Sequence, residues 1–244
     1  MSRLATQVRT ELQLVARNGE QLLLTLGIPV MLLVFFSLVD VLPTGTTDPV
    51  DFLAPGVLAL AVMSTAMVSL GIGTGFERAY QVLKRLGATP LGRGNLIAAK
   101  IVAVVAVEIV QFMFLVPVAL LLGWSPPSPS WLLASAAVVV GTIAFAGIGL
   151  TMAGRLRGEI NLAAQNGLYL VLLLLGGMII PFDELPAPMR ALARALPSGA
   201  LADVLRDALA DAGSRPGSSW IVLIAWATVT PLAARRLFRF EGHR

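Results

Sequence analysis

Six apolar segments, separated by short polar stretches, dominate the sequence. A helix needs about 20 apolar residues to cross a bilayer, and each segment is close to that length. The predicted spans are residues 21–42, 52–73, 96–122, 131–153, 162–180 and 218–237. We therefore expect an all-α membrane protein with six transmembrane helices, in which residues 1–244 form a single domain.

The first 20 residues have a different pattern, because apolar residues recur every three or four positions among charged ones. Leu4, Val8, Leu12 and Val15 fall on one side of such a helix. The segment predicts an amphipathic helix at residues 1–20 that lies in the membrane interface rather than crossing the bilayer.

Residues 74–93, between the second and third spans, also have a two-sided pattern. At 100° per residue, the apolar side chains fall on one arc and the charged side chains on the other. Thr74 and Glu77 have the spacing of a capping box, and Gly87 is typical of a helix end. The pattern predicts a single amphipathic helix that begins at Thr74. Its apolar arc would hold Phe76, Ala79, Tyr80, Val82, Leu83 and Leu86.

Residues 181–217, between the fifth and sixth spans, are more polar and contain several prolines. Apolar residues recur at helical spacing in two short stretches, and neither stretch is long enough to span. We expect two short amphipathic helices that form a hairpin at the outer surface.

The charges indicate how the chain is oriented. The chain has 57% hydrophobic and 13% charged residues, which is more apolar than a soluble domain. Its net charge of +4 comes from side chains scattered among short loops. A nucleic-acid-binding protein would instead gather its basic residues in a single patch. The loops at Pro43 and Gly123 contain no lysine or arginine, whereas both termini and residues 74–93 are basic. The positive-inside rule then places both termini and residues 74–93 in the cytoplasm. The arginine-rich composition favours a bacterial inner membrane.

Several enzyme classes are excluded because their catalytic residues are missing. The sequence has no cysteine, its one histidine is His243 near the carboxyl end, and no span contains paired acids. It also lacks the glycine-rich phosphate-binding loop of nucleotide hydrolases. We expect no catalytic residues, no metal site and no cofactor bound by this chain.

Glu108 is the one carboxylate deep within a predicted span, and Gln111 lies on the same helix face. An acid inside a membrane is costly and is a functional candidate by default. A hydrogen bond to a neighbouring helix, or a protonated acid at a subunit interface, explains it equally well. Phe112 and other large apolar residues could line a translocation path or pack against helices.

Two groups of short motifs lie at matching places along the chain, one after the second span and one between the fifth and sixth spans. The motifs are Phe76-Glu77-Arg78, Leu83-Lys84-Arg85-Leu86, Thr89-Pro90-Leu91 and Lys100 in the first group, and Gly176-Gly177, Pro181, Leu185-Pro186, Met189-Arg190, Leu196-Pro197 and Leu205-Arg206 in the second. Together they resemble the ABC-2 type exporter permeases, and the resemblance extends over essentially the whole chain. The likeness is greatest to the daunorubicin-resistance-like branch of drug-export permeases.

The resemblance implies that residues 74–93 form a coupling helix resting on a separate ATP-binding subunit, which would bind ATP and Mg²⁺. It also implies a second permease, either a copy or a paralogue, and outward transport of a hydrophobic or amphipathic substrate such as a drug, a lipid or a lipid-linked glycan. Phe76, Leu83 and Leu86 would hold the coupling helix to its own spans. The side chains facing the ATP-binding subunit would be Glu77, Arg78, Gln81, Lys84 and Arg85.

Two other classes of function stay open at this stage. An ion-coupled secondary transporter would use Glu108, although such proteins usually gather several ionisable residues near the middle of the membrane. A membrane scaffold without cargo would need none of these residues.

Overall fold

The computed structural model describes residues 3–39, 48–87, 93–210 and 217–237, and the regular elements in these ranges are helices. They are α1 (Arg3–Arg17), α2 (Gly19–Leu38), α3 (Pro49–Met63), a π-helical segment (Ser64–Ser69), α4 (Leu70–Ala79), α5 (Val82–Gly87), α6 (Arg93–Leu121), α7 (Trp131–Ala153), α8 (Gly158–Leu175), a 3₁₀ turn (Phe182–Glu184), α9 (Ala187–Ala195), α10 (Pro197–Ala210) and α11 (Gly217–Leu237).

Within these residues, five helical stretches are long and apolar enough to cross a membrane. The helical membrane fold is therefore as predicted. The first predicted span, residues 21–42, corresponds to α2, whose apolar part Leu23–Leu38 is shorter than the other five stretches. The last residues of this predicted span lie outside the described part of the chain. The total of six spans and the cytoplasmic placement of both termini stay predictions.

The second span is longer than its sequence pattern predicts. α3, the π-helical segment and α4 form one uninterrupted helix over Pro49–Ala79, which we call the central helix. The helix continues past residue 73, where the span is predicted to end, and the position at which it leaves the membrane stays a prediction. A π-helical turn inside an α-helix is rare and is often found at functional sites.

The central helix forms the middle of the bundle. Of its most apolar stretch, 83% is buried, compared with 17% in α8 and in α11. The helix α7 packs along one side of it, and α11 covers the far side of α7. The helix α6 contacts α3 and the amphipathic helix α1, and α2 packs on both α3 and α6.

Glycines allow these helices to approach closely. A Cβ atom added at Gly149 of α7 would lie 2.5 Å from the backbone oxygen of Met67 in the π-helical segment. One added at Gly56 of α3 would lie 1.9 Å from the backbone oxygen of Met178. Membrane helices gain stability from such close packing, because lipid provides no hydrophobic force between them.

The predicted outer hairpin contains the two short helices expected for residues 181–217, namely α9 and α10, and its placement on the outer side stays a prediction. The fifth span, however, ends at Leu175 and not at residue 180, because the chain turns at Gly176 and at Gly177, which has a left-handed backbone with φ of +61°. The helix α10 does not lie on the surface. It packs against α3, α7 and α11, so protein covers most of it.

Arg206 of α10 joins the outer hairpin to the central helix. Its guanidinium donates to the carbonyl oxygens of Gly177 and Met178, and it lies 3.8 Å above the ring of Phe52. Burial lowers the pKa of Arg206 to about 10, so the side chain stays charged at neutral pH. The charge is partly balanced by Asp203, 3.9 Å away.

The glycine contacts lead to a stability prediction. Gly149→Ala should destabilise the protein by about 1–3 kcal/mol, the usual cost of overpacking, because the backbone of Met67 cannot move aside easily. Gly73→Ala is the matched control, because a Cβ atom at Gly73 would meet nothing within 4 Å. The stability of both variants is measured as the midpoint temperature of thermal unfolding in detergent. An equal midpoint for the two variants would contradict the close approach of α7 to the central helix.

Candidate functional site

The link between the second and third spans is not the single helix that its sequence predicts. α4 continues through Thr74 to Ala79, and the six-residue helix α5 begins only at Val82. Between them Gln81 has a left-handed backbone with φ of 60°. The prediction of a helix start at Thr74 is therefore wrong, because Thr74 is buried inside the central helix and is not a capping residue.

This left-handed turn changes which side chains share a surface. Tyr80 is 72% exposed and stacks on Phe76, with 6.2 Å between ring centroids. Val82 is also exposed, whereas Leu83 is fully buried. The predicted apolar arc assumed one continuous helix, so the break at Gln81 divides it between two differently directed helices.

Two of the predicted partner-facing residues face their own chain instead. Lys100 of α6 lies 2.7 Å from Glu77 and 3.2 Å from Glu11 of α1, which makes an ionic triad of three helices. Arg78 is only 4% exposed and donates to the backbone oxygens of Ala153 and Leu156 at the end of α7, at 3.1 and 3.0 Å. Arg78 therefore does not point outward, and the Glu77 side chain is 24% exposed and paired with Lys100. A contact of either residue with a partner stays a prediction.

The short helix α5 has apolar residues facing the bundle and polar residues facing outward, as its sequence predicts. Leu83 is fully buried against Leu96 at the start of α6, and Leu86 packs beside them. The side chains of Gln81, Lys84 and Arg85 are exposed. We call Tyr80 to Leu86 the α5 knob. It combines an exposed basic surface with one apolar anchor.

The polar residues inside α6 bond to neighbouring helices. Glu108 accepts a hydrogen bond from Thr142 of α7 at 2.7 Å. Gln111 accepts one from Thr65 at 2.9 Å and donates to the backbone oxygen of Thr25 at 2.8 Å. These contacts match the structural alternative for both residues, and Phe112 packs half-buried against the core. A role for these residues in transport stays a prediction.

Sequence reasoning missed two buried amides in α8. Asn161 donates to the backbone oxygen of Gly71 at 2.9 Å, and Gln165 donates to that of Gly149 at 3.0 Å. Both are fully buried and join α8 to α4 and α7. The signal was present, because two amides four residues apart at the start of a span share one helix face and are typical of interhelical hydrogen bonds.

A groove of about 620 Å³ opens between α2 and α8, with the π-helical segment and α4 as its floor. We call it the lateral groove. Its wall is mainly apolar, with hydroxyl and amide groups at a few positions. The residues that line it are Asn18, Leu24, Thr25, Ile28, Pro29, Ser64, Val68, Ser69, Ile72, Gly73, Phe76, Asn166 and Tyr169.

Glu108, Gln111 and Phe112 are not among the residues that line this groove. Among the described residues of the predicted coupling segment, Phe76 is the one that lines it. Within the described residues there is also no cluster of metal-ligating side chains. The groove therefore suits an apolar or amphipathic molecule, and its few hydroxyl groups could orient a polar end.

Comparison with known proteins identifies the family. The sequence profile described as ABC-2 type transporter matches residues 3–209. The chain belongs to this family. The permease is also 25% identical over 245 aligned positions to "Putative transport permease YvfS" of Bacillus subtilis (strain 168), with 98% of each chain covered. The likeness to the daunorubicin-resistance-like branch stays a prediction.

Family membership gives the described features a context. The protein is a multi-pass membrane permease and not an enzyme, and permeases of this family generally work as dimers with ATP-binding subunits. In this permease the ionic triad, Arg78 and the α5 knob all lie at one end of the bundle.

The ionic triad leads to a prediction about α1. Lys100→Met should leave Glu11 and Glu77 close together without their cation, which commonly costs about 3–5 kcal/mol for a buried ion pair. The helix α1 should then separate from α6, so that trypsin cleaves more rapidly at Arg9 and Arg17.

Loss of an amino-terminal tag during limited trypsin digestion measures this cleavage. Arg155→Met is the matched control, because Arg155 is an exposed cation in the turn after α7. An unchanged cleavage rate in Lys100→Met, relative to wild type and control, would show that the triad does not hold α1.

Proposed function

We propose that this chain is the permease subunit of an ATP-driven exporter in a bacterial inner membrane. A separate ATP-binding subunit would hydrolyse ATP with Mg²⁺, and a second permease, either a copy or a paralogue, would complete the transport unit. In this proposal the end of the bundle that carries α1 and α5 faces the cytoplasm, as the basic residues of the inner loops indicate.

The α5 knob is the observation that carries the proposal. A partner that pushes on a flexible loop moves only the loop, whereas α5 is fixed to α6 through the buried pair Leu83 and Leu96. Lys84 and Arg85 extend outward from the same short helix. An acidic cleft on the ATP-binding subunit would therefore recognise the knob by its charge, and Leu83 would pass the movement to α6.

Glu77 and Arg78 have a different part in this proposal. Their contacts with Lys100, Ala153 and Leu156 hold the end of α4 to α1, α6 and α7. They would make the base beneath the knob stiff without touching the ATP-binding subunit. The contact surface is thus smaller than the sequence suggests, with Gln81, Lys84 and Arg85 at its centre.

The lateral groove would be part of the translocation path. It lies beside the π-helical segment, it is lined mainly by apolar residues, and its volume of about 620 Å³ fits a drug-sized molecule. A hydrophobic or amphipathic substrate could enter it from the bilayer between α2 and α8. Glu108, Gln111 and Phe112 would support the path indirectly, by holding α6 to α2 and α7.

The coupling proposal predicts the behaviour of two variants. Arg85→Glu should weaken binding of the ATP-binding subunit by repulsion, with little effect on folding, because its side chain is exposed. Leu83→Asp should remove the anchor and abolish stimulation of ATP hydrolysis by the permease. The measurements are affinity purification of the tagged permease from its native membrane in mild detergent, and the ATPase rate of the recovered complex.

Arg157→Glu is the control for charge, because Arg157 is another exposed arginine at the same end of the bundle, in the loop between α7 and α8. It should retain the ATP-binding subunit at the wild-type ratio. Recovery of wild-type permease without any ATP-binding chain, or equal retention by Arg85→Glu and Arg157→Glu, would contradict the coupling role of the α5 knob.

An ion-coupled transporter is the second candidate, and one observation favours it. Glu108 is 1% exposed, and its Oε1 atom has no hydrogen-bond partner among the described residues. Such a carboxyl group could carry a proton. Under the exporter proposal, Glu108→Gln should leave ATP-dependent transport within about twofold of wild type, because the amide oxygen can still accept from Thr142.

Efflux of a hydrophobic fluorescent dye from cells, with and without a protonophore, separates the two candidates. Thr142→Val is the control that removes the same hydrogen bond without removing the carboxyl group. Dye efflux that is abolished by the protonophore and by Glu108→Gln, but not by Thr142→Val, would favour ion coupling over the exporter.

A further inference from the structure

A second concave surface lies between α1 and α6, on residues that do not line the lateral groove and are not part of the α5 knob. It has a volume of about 720 Å³ and is open along one side. We call it the α1 groove. Its apolar wall includes Leu4, Val8, Leu12 and Ala16 of α1 and Val102 of α6, and Arg9 lies at its edge.

The α1 groove is continuous with an exposed apolar face of α6. Val102, Ile109 and Met113 are separated by seven and four residues and so lie on one face of the helix. They are 46%, 55% and 69% exposed, as expected for side chains that contact lipid tails. An acyl chain lying along this face could therefore bend beneath α1 without leaving an apolar environment.

The charges around the groove are one-sided. Glu11 is the acid of α1, but it is only 8% exposed and is paired with Lys100. Arg9 and Arg17 are exposed. The described surface of α1 is therefore cationic. Its amphipathic pattern predicts a position at the membrane interface, where anionic headgroups attract basic side chains.

We propose that the α1 groove binds one anionic phospholipid. An acyl chain would occupy the apolar wall, and Arg9 would bind the phosphate, since a guanidinium forms paired hydrogen bonds with phosphate oxygens. This site is separate from the transport path. Only the choice of leaflet rests on the proposed function: if α1 faces the cytoplasm, the lipid belongs to the inner leaflet.

A lipid in this position would add to the ionic triad. The triad fixes α1 at Glu11, and the lipid would fill the space under the neighbouring turns, at Val8 and Leu12. The helix α1 would then be held to α6 by a buried ion pair and by a lipid whose supply depends on membrane composition.

The test is native mass spectrometry of the full-length permease in mild detergent, with phosphatidylglycerol or phosphatidylcholine added at equal concentration. Wild type should retain one phosphatidylglycerol at least fivefold more than phosphatidylcholine. Arg9→Gln should lose this preference, whereas Arg17→Gln should keep it, because Arg17 is exposed on the same helix but does not line the groove.

Val102→Trp fills the groove from the α6 side and should reduce retention of both lipids at least fivefold, without relying on a change in α1. Leu121→Trp is its matched control, at an 87% exposed position at the other end of α6, and should have no effect. Equal retention of the two lipids by wild type would overturn the proposal. So would retention that survives both Arg9→Gln and Val102→Trp, because the bound lipid would then lie elsewhere.

Discussion

The bundle depends on the close approach of the central helix to α7 and α8. Lipid is as apolar as leucine, so these helices are held by packing and by hydrogen bonds that cross between them. Gly149 and Gly71 have no side chain, so neighbouring helices can pack against their backbone and form hydrogen bonds with it. Gln165 and Asn161 donate to the carbonyl oxygens of these two glycines. A Cβ atom at Gly71 would displace the amide of Gln165, and one at Gly149 would meet the backbone of Met67.

At the charged end of the bundle, the helices are joined by ion pairs and by hydrogen bonds from charged side chains. Lys100 neutralises acids from α1 and α4. Arg78 binds the carbonyl oxygen of Ala153, in the last turn of α7, and that of Leu156 in the following turn. Four helices are thereby joined beneath the α5 knob. Glu77 and Arg78 are therefore better understood as the support of the proposed coupling surface than as the surface itself.

Hydrophobic pattern predicted the helical membrane fold, the amphipathic helix α1 and the burial of Leu83, because these depend on local composition and period. It failed at Thr74 and Gln81. A helical wheel assumes one axis, and a single left-handed residue changes the axis without changing the pattern. The four-residue spacing of Asn161 and Gln165 signals interhelical hydrogen bonds, but it does not identify the accepting backbone atoms, which are 90 and 16 residues away.

The π-helical segment lies at a joint between two anchored halves of the central helix. On one side, Gly56 and the contacts of Arg206 hold α3 to the outer hairpin. On the other, Asn161 and the ionic triad hold α4. A displacement at the α5 end would move α4 as a rigid rod, so that bending concentrates where the helical hydrogen bonding is already irregular. Because the π-helical segment forms the floor of the lateral groove, such bending would change the shape of the groove first.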